Sequence, residues 1–287
     1  MEKIIILGHE NLDVDSIVSG YLLEKILLKR GYNAEFIIPD KFIEEETLSI
    51  CLRNGLNPNK FVKDLNFENE ENKYILVDHH ERDLTGEIVC IIDHHPTSKE
   101  INVKHYYNKK ISSTAAYISI GNENLLEEFD LKLAVLATLV DTASFHSTKS
   151  RVEDELWVKE ICDKYNINYN ELYKEGLGLT SLEDISLASN HGLKKYNFNG
   201  KQVESSYIQI ENPIEEEATI LEIINILKLK VNNKNLDAFV FIVFDMNKFE
   251  TDYYLITKDS VIKNHIDSYV SRGNDIMLEI EEYIKEI

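Results

Sequence analysis

Short apolar runs alternate with stretches of helical period along the first half of the chain. Lys3 to Leu7 predicts a buried strand, and Gly8 to Asp15 the loop that follows it. From near Ser16, the residues Ile17, Leu22, Leu23, Ile26 and Leu27 share one helical face, which Gly31 ends. Glu35 to Ile38 predicts a second strand, and Asp40 is placed to cap a helix ending at Asn54-Gly55. Two further runs, Tyr74 to Val77 and Val89 to Ile92, have the length and β-branched content of strands buried on both faces. Each is followed by Asp-His-His. Leu131 to Leu139 then reads as a strongly apolar helix leading to Asp141, and Val152 to Tyr165 as an amphipathic one. This alternation predicts an α/β fold with a parallel sheet covered on both sides.

The periodicity weakens between Glu171 and Asn190, where Gly176 and Gly178 fall, and a domain junction is expected there. The division is therefore 1–182 and 183–287. The second part predicts strands at Val203 to Ile210, Ala238 to Phe244 and Tyr253 to Ile256, and a helix from Ile214 to Leu229. Its acidic run Glu215-Glu216-Glu217 suits a helix start, where negative charge is stabilised.

Composition narrows the function. A chain of 287 residues can build two cores. No apolar run approaches the ~20 residues that span a bilayer, and the amino-terminal segment reads as a strand, not a signal peptide. Cys51, Cys90 and Cys162 are isolated and lack metal spacing, as expected of a reducing cytoplasm. The net charge of −20 argues against gripping long nucleic acid through its phosphates. It leaves room for a small phosphate ligand, because divalent ions reverse the local field.

The doubled triplet carries the chemistry. Four of the nine histidines lie in Asp78-His79-His80 and Asp93-His94-His95. One Asp-His pair at a strand end is commonly a packing feature; two copies, each with two imidazoles, point to a metal site at the strand ends. The loop after the first strand adds His9, Asp13 and Asp15, beside a helix start that suits anions and their metals. With Asp78, His94 and Asp141 the set is four carboxylates and two imidazoles. That exceeds the needs of one ion and fits two ions bridged by a carboxylate, which can clamp a phosphate and generate a hydroxide nucleophile. Mixed nitrogen and oxygen donors without thiolate favour Mn²⁺ or Co²⁺, with Mg²⁺, which prefers oxygen shells, as a further candidate.

These stretches resemble the DHH phosphoesterase superfamily, and among its members the family II, manganese-dependent inorganic pyrophosphatases. The matching segments are Gly8-His9-Glu10-Asn11-Leu12-Asp13-Val14-Asp15, Val77-Asp78-His79-His80-Glu81-Arg82, Ile92-Asp93-His94-His95 and Val140-Asp141-Thr142. The second part is similar to the DHHA2 type through Ser271-Arg272. The resemblance implies a DHH domain and a smaller α/β DHHA2-like domain with the active site in the cleft. It implies that His9 and Asp13 hold one ion, Asp15 and His94 the other, with Asp78 bridging and Asp141 completing the pair. His95 matches the family's substrate histidine, which can protonate the leaving group. Lys194, Ser271 and Arg272 match its substrate contacts. The implied activity is hydrolysis of phosphoanhydride bonds, pyrophosphate above all, and a homodimer is implied as well.

The sequence departs from that pattern where Gly273 replaces a lysine after Arg272, where His80 replaces an asparagine and where Leu12 replaces a proline. The first two leave the ligands intact and alter the substrate pocket. Two alternatives therefore stand beside the pyrophosphatase: an exopolyphosphatase or small-nucleotide phosphohydrolase of the same superfamily, and a phosphate or nucleotide sensor without turnover.

Overall fold

The computed structural model describes residues 3–10, 12–39, 43–80, 82, 84–95, 101–147, 150–270 and 272–285. The chain forms two compact units, Met1–Gly176 and Leu177–Ile287. They divide ahead of the expected 182/183 boundary because residues 177–180 are tied to Gln209. Its side-chain amide donates to the carbonyls of Leu177 and Gly178, and its backbone exchanges hydrogen bonds with Thr180.

The first unit is a strand–helix alternation. Its strands are β1 (Ile4–Leu7), β2 (Ala34–Phe36), β3 (Lys73–Val77), β4 (Glu87–Asp93) and β5 (Tyr106–Asn108). They form one parallel sheet in the order β2-β1-β3-β4-β5. Successive side chains of a strand point to opposite faces. Ile6, Ile75 and Val77 accordingly join the core under α1 (Val14–Lys29), while Ile5, Leu7 and Leu76 pack on the other face with Tyr74 and Ile91. Both faces are buried, which explains the uninterrupted apolar runs.

The helix α1 starts two residues before the expected Ser16, because the Asp13 side chain accepts the Ser16 N–H and caps it. Helix α2 (Glu45–Arg53) has Glu44 at its N-cap without a side-chain hydrogen bond; the expected cap, Asp40, lies outside the described residues. Then follow α3 (Thr114–Ser119), α4 (Glu128–Asp141), α5 (Val152–Tyr165) and α6 (Tyr169–Leu177). Buried Asp130 fixes α4 to α1: it accepts from Tyr21 Oη and Lys25 Nζ, each at 2.8 Å, and closes a capping box with Glu127.

The second unit comprises α7 (Ile185–Ala188), β6 (Lys194–Phe198), β7 (Lys201–Ile210), α8 (Glu217–Lys234), β8 (Ala238–Asp245), β9 (Glu250–Ile256), β10 (Val261–Ile266) and α9 (Met277–Lys285). Its sheet runs β10-β9-β8-β7-β6 and is mixed, since β7 and β8 pair in parallel and the other neighbours are antiparallel. Every residue of the central β8 is buried, and α8 covers one face through Ile220, Ile223, Leu227 and Val231. The acidic run does sit at the start of α8, with Glu216 as N-cap.

Candidate metal centre

The carboxyl ends of β1, β3 and β4 meet the amino ends of α1 and α3. His9 follows β1, and its backbone N–H donates to Ser16 Oγ at 3.1 Å. A Cβ on the preceding Gly8 would meet Ser16 Oγ at 2.3 Å, so this tight approach requires glycine. Asp13 spends Oδ1 on its cap and holds Oδ2 at 3.3 Å from His9 Nε2. Asp15, in the first turn of α1, is buried. It accepts the backbone N–H groups of Thr114 and Ala115, at 2.7 and 2.9 Å, from the amino end of α3.

Asp78 has a φ of 65°, a left-handed backbone that aspartate tolerates better than most residues. Its N–H still donates to Ile92, and Thr114 Oγ1 donates to its Oδ1 at 3.1 Å. Its two oxygens face different imidazoles: Oδ2 lies 3.5 Å from His9 Nε2 and Oδ1 lies 3.3 Å from His94 Nε2. His94 Nε2 is also 3.6 Å from Asp141 Oδ2 and 3.8 Å from Asp15 Oδ2. The other ring nitrogen, Nδ1, lies 3.1 Å from the Ile111 carbonyl. A carbonyl only accepts, so Nδ1 carries a proton and Nε2 is the ring atom turned toward the carboxylates.

All six residues singled out as ligands therefore converge, in three overlapping groups: His9, Asp13 and Asp78; Asp15, His94 and Asp141; and Asp78, His94 and His95. The donor set fits divalent ions on physical grounds. Donors sharing an ion at ~2.1 Å, with ligand angles near the right angle, lie ~3 Å apart, close to the separations found here. Burial and the neighbouring Asp141 and Asp13 push the Asp15 carboxyl up to about 7, which is the repulsion that a cation relieves. Asp141 adds to it by closing α4 at the negative end of the helix dipole. Thr142 caps the helix, and three left-handed residues, Ala143, Ser144 and Phe145, follow and keep it from continuing.

A second layer was not read from the sequence. Asp93, at the end of β4, is wholly buried. Its Oδ1 accepts the His94 and His95 N–H groups at 2.8 and 3.1 Å and His95 Nδ1 at 2.9 Å; its Oδ2 is 2.5 Å from His80 Nδ1. Burial alone raises such a carboxyl, but the hydrogen bonds from His95 and His80 outweigh it and hold Asp93 well below the usual carboxylate range. His79 donates Nδ1 to the Val77 carbonyl at 2.9 Å, and burial lowers it to about 4, so it is neutral. The repeated triplet was the available signal for Asp93 and His80. Thr114 gave none, because it serves partly through its backbone.

The other expected residues belong to the second unit. Lys194 opens β6 and is exposed. Arg272 donates Nη1 to the Gly192 carbonyl and stacks its guanidinium 5.1 Å from the centre of the Tyr207 ring. Both cations thus border the turn before β6. Ser271 lies outside the described residues. His265 has both ring nitrogens facing carboxylates, of Asp252 and Asp267, on the exposed face of β9 and β10.

Residues 3–139, all within the first unit, match the DHH family, N-terminal domain. Over nearly its whole length the chain is similar to two manganese-dependent inorganic pyrophosphatases. The one from Methanocaldococcus jannaschii is 26% identical over 301 residues, covering 96% of this chain and 93% of the relative. The one from Bacillus subtilis (strain 168) is 26% identical over 264 residues, covering 86% and 83%. The fold also matches the crystal structure of a Methanococcus jannaschii protein assigned to the family II inorganic pyrophosphatases. That match has a TM-score of 0.58 at 22% identity and covers 97% of this chain and 98% of the other.

Proposed function

We propose that the chain is a metal-dependent hydrolase of phosphoanhydride bonds, most like an inorganic pyrophosphatase that converts pyrophosphate and water into two phosphates. One observation carries this reading: the buried Asp78 carboxylate turns one oxygen to each of two imidazoles, His9 and His94, as a bridge between two ions requires. His9 and Asp13 are proposed for one ion, Asp15 and His94 for the other, with Asp141 as the sixth ligand. The relatives' names and the mixed donor set favour Mn²⁺, with Co²⁺ or Mg²⁺ as substitutes. Bound ions would neutralise phosphate charge and acidify a water.

The chain's own residues do the rest. Asp15, Asp78 and Asp141 hold the cations by charge, and the His94 Nδ1–H bond to Ile111 fixes the tautomer that offers Nε2. His95 is proposed to contact substrate and deliver a proton to the leaving phosphate. Lys194, Arg272 and Ser271 are proposed to bind the phosphates. A small phosphate substrate, not a nucleic-acid polymer, suits the net charge of −20. Among the described residues no helix is long and apolar enough to cross a membrane. The three free cysteines fit a cytoplasmic enzyme, and a homodimer is proposed from the resemblance alone.

A phosphate-release panel of pyrophosphate, tripolyphosphate, longer polyphosphate and dinucleotide phosphates, run with Mn²⁺, tests the reading. Pyrophosphate is expected to turn over fastest. Preference for longer chains would favour the exopolyphosphatase alternative, which the glycine after Arg272 supports; no turnover of any substrate leaves the sensor. Asp78→Ala is expected to abolish two-ion binding, whereas Lys194→Ala should raise KM and spare the metals. Equal metal content in Asp78→Ala and the unaltered protein would refute the bridge.

A further inference from the structure

We propose that His80 is a positioning residue for His95, acting through the buried carboxylate of Asp93, so that the last histidines of the two triplets form one relay. The inference rests on the reading of His95 as the group that serves the leaving phosphate.

The geometry is asymmetric in an informative way. Asp93 Oδ1 is fully engaged by the His94 and His95 backbone N–H groups and His95 Nδ1. Oδ2 has one donor among the described residues, His80 Nδ1, at 2.5 Å. An ionised carboxylate has no proton to give, so both imidazoles donate Nδ1–H to it. The two rings differ in exposure: the His80 side chain is 10% exposed and that of His95 is 36% exposed. The covered ring is therefore the anchor and the open ring the working group.

Three contacts then define His95. Its Nδ1 is held by Asp93, and its backbone N–H by the same oxygen. Its ring stands edge-on to His94, with centroids 4.5 Å apart at 65°. Together they fix the ring, and since Nδ1–H stays on Asp93 the proton given to the leaving phosphate is a second one, carried on Nε2. The weak point is rotation of the Asp93 carboxylate about its own axis, which would swing Oδ1 away from His95. His80 blocks that rotation by holding Oδ2. Without it, a buried carboxylate oxygen lacks a donor and the carboxylate gains a reason to turn. His80 touches neither substrate nor ion in this scheme; it sets the tautomer and the direction of the ring that does.

The test compares His80→Ala, His80→Phe and His80→Asn in the full-length protein. Phenylalanine keeps the ring volume without the donor, in case alanine fails to fold. Asparagine places an amide N–H where the imidazole Nδ1–H stood. Measured with Mn²⁺ and pyrophosphate, Ala and Phe should lower kcat by about 10–100-fold, the usual effect of losing an outer partner, with KM within about twofold. Asn should recover kcat to within about threefold of the unaltered protein. Metal content should be equal in all four. In Mg²⁺-loaded protein with ¹⁵N-labelled histidine, His95 should show the Nδ1–H tautomer in the unaltered and Asn forms and a tautomer mixture in the Ala and Phe forms.

Unchanged kcat and an unchanged His95 tautomer in both the Ala and Phe forms would overturn the proposal. So would an Asn variant as slow as Ala, or loss of metal in step with activity. If the unaltered protein hydrolyses nothing, the hydrolase reading fails by itself, and the tautomer comparison still decides whether the relay exists.

Discussion

Asp15 is caught between opposing influences. Burial, Asp141 and Asp13 drive its carboxyl up to about 7, while the N–H groups of Thr114 and Ala115 pull the other way. Its value in the metal-free fold thus lies above the ordinary 3.8. A raised value stabilises the fold fully below the unfolded pKa, and that contribution is lost as the pH climbs through the folded one. The metal-free protein should therefore lose stability between about pH 4 and pH 7, and added Mn²⁺ should restore it by replacing the proton. Thermal melting with and without chelator checks this: the Tm gap should widen from about pH 5 to about pH 8. A constant gap would mean that Asp15 does not share its place with the ion. At this scale the sequence was generous for acids and imidazoles, whose types announce metal chemistry. It was silent where a backbone group or a fold-specific partner does the work, as with Thr114, the Ile111 carbonyl and the pairing of His80 with Asp93.

At the scale of elements, α4 delivers Asp141 only if it is held at a fixed height against α1. The triad of buried Asp130 with half-buried Lys25 and Tyr21 does that, and the Lys25 side chain is 24% exposed, so its ammonium is partly desolvated. Removing the carboxylate leaves that cation without its buried counterion and opens the capping box. Asp130→Ala should cost about 2–3 kcal/mol, somewhat below the loss for a fully buried pair, and Asp130→Asn less. Urea unfolding of the two variants measures it; equal stability of Asp130→Ala and the parent would show that the triad adds nothing. The strands that pattern revealed were the central, apolar ones. β5 (Tyr-Tyr-Asn), β6 (Lys-Lys-Tyr-Asn-Phe) and β10 are short or polar edge strands. Edges are kept polar against unwanted pairing, which strips them of the hydrophobic signal. The start of α1 moved for a related reason: Asp13 reads as a ligand but also caps the helix.

At the scale of the whole molecule, each unit has its own apolar core, one centred on α1 and α4 and the other on α8 and β8. The six proposed ligands all belong to the first unit and the proposed phosphate-binding cations to the second. A fragment ending at Gly176 should thus fold and take up Mn²⁺ with the stoichiometry of the full chain, yet release no phosphate from pyrophosphate. Calorimetric metal titration beside a phosphate assay separates the two properties, and turnover by the fragment would remove Lys194 and Arg272 from the scheme. The net charge of −20 makes the cations more than reagents, since an anionic substrate otherwise meets a repelling surface.

The parallel sheet sends its carboxyl strand ends, with the amino ends of α1 and α3, to the proposed ligands. The turns at Gly31, after α1, and Gly121, after α3, therefore belong to the far rim. Both glycines hold a left-handed backbone, with φ of 83° and 80°, that a side chain would strain, so an attachment belongs on an exposed neighbour such as Tyr32. That rim offers handles for a surface tether, a dye or a grafted peptide, remote from the chemistry and anchored to helices that run straight back to it.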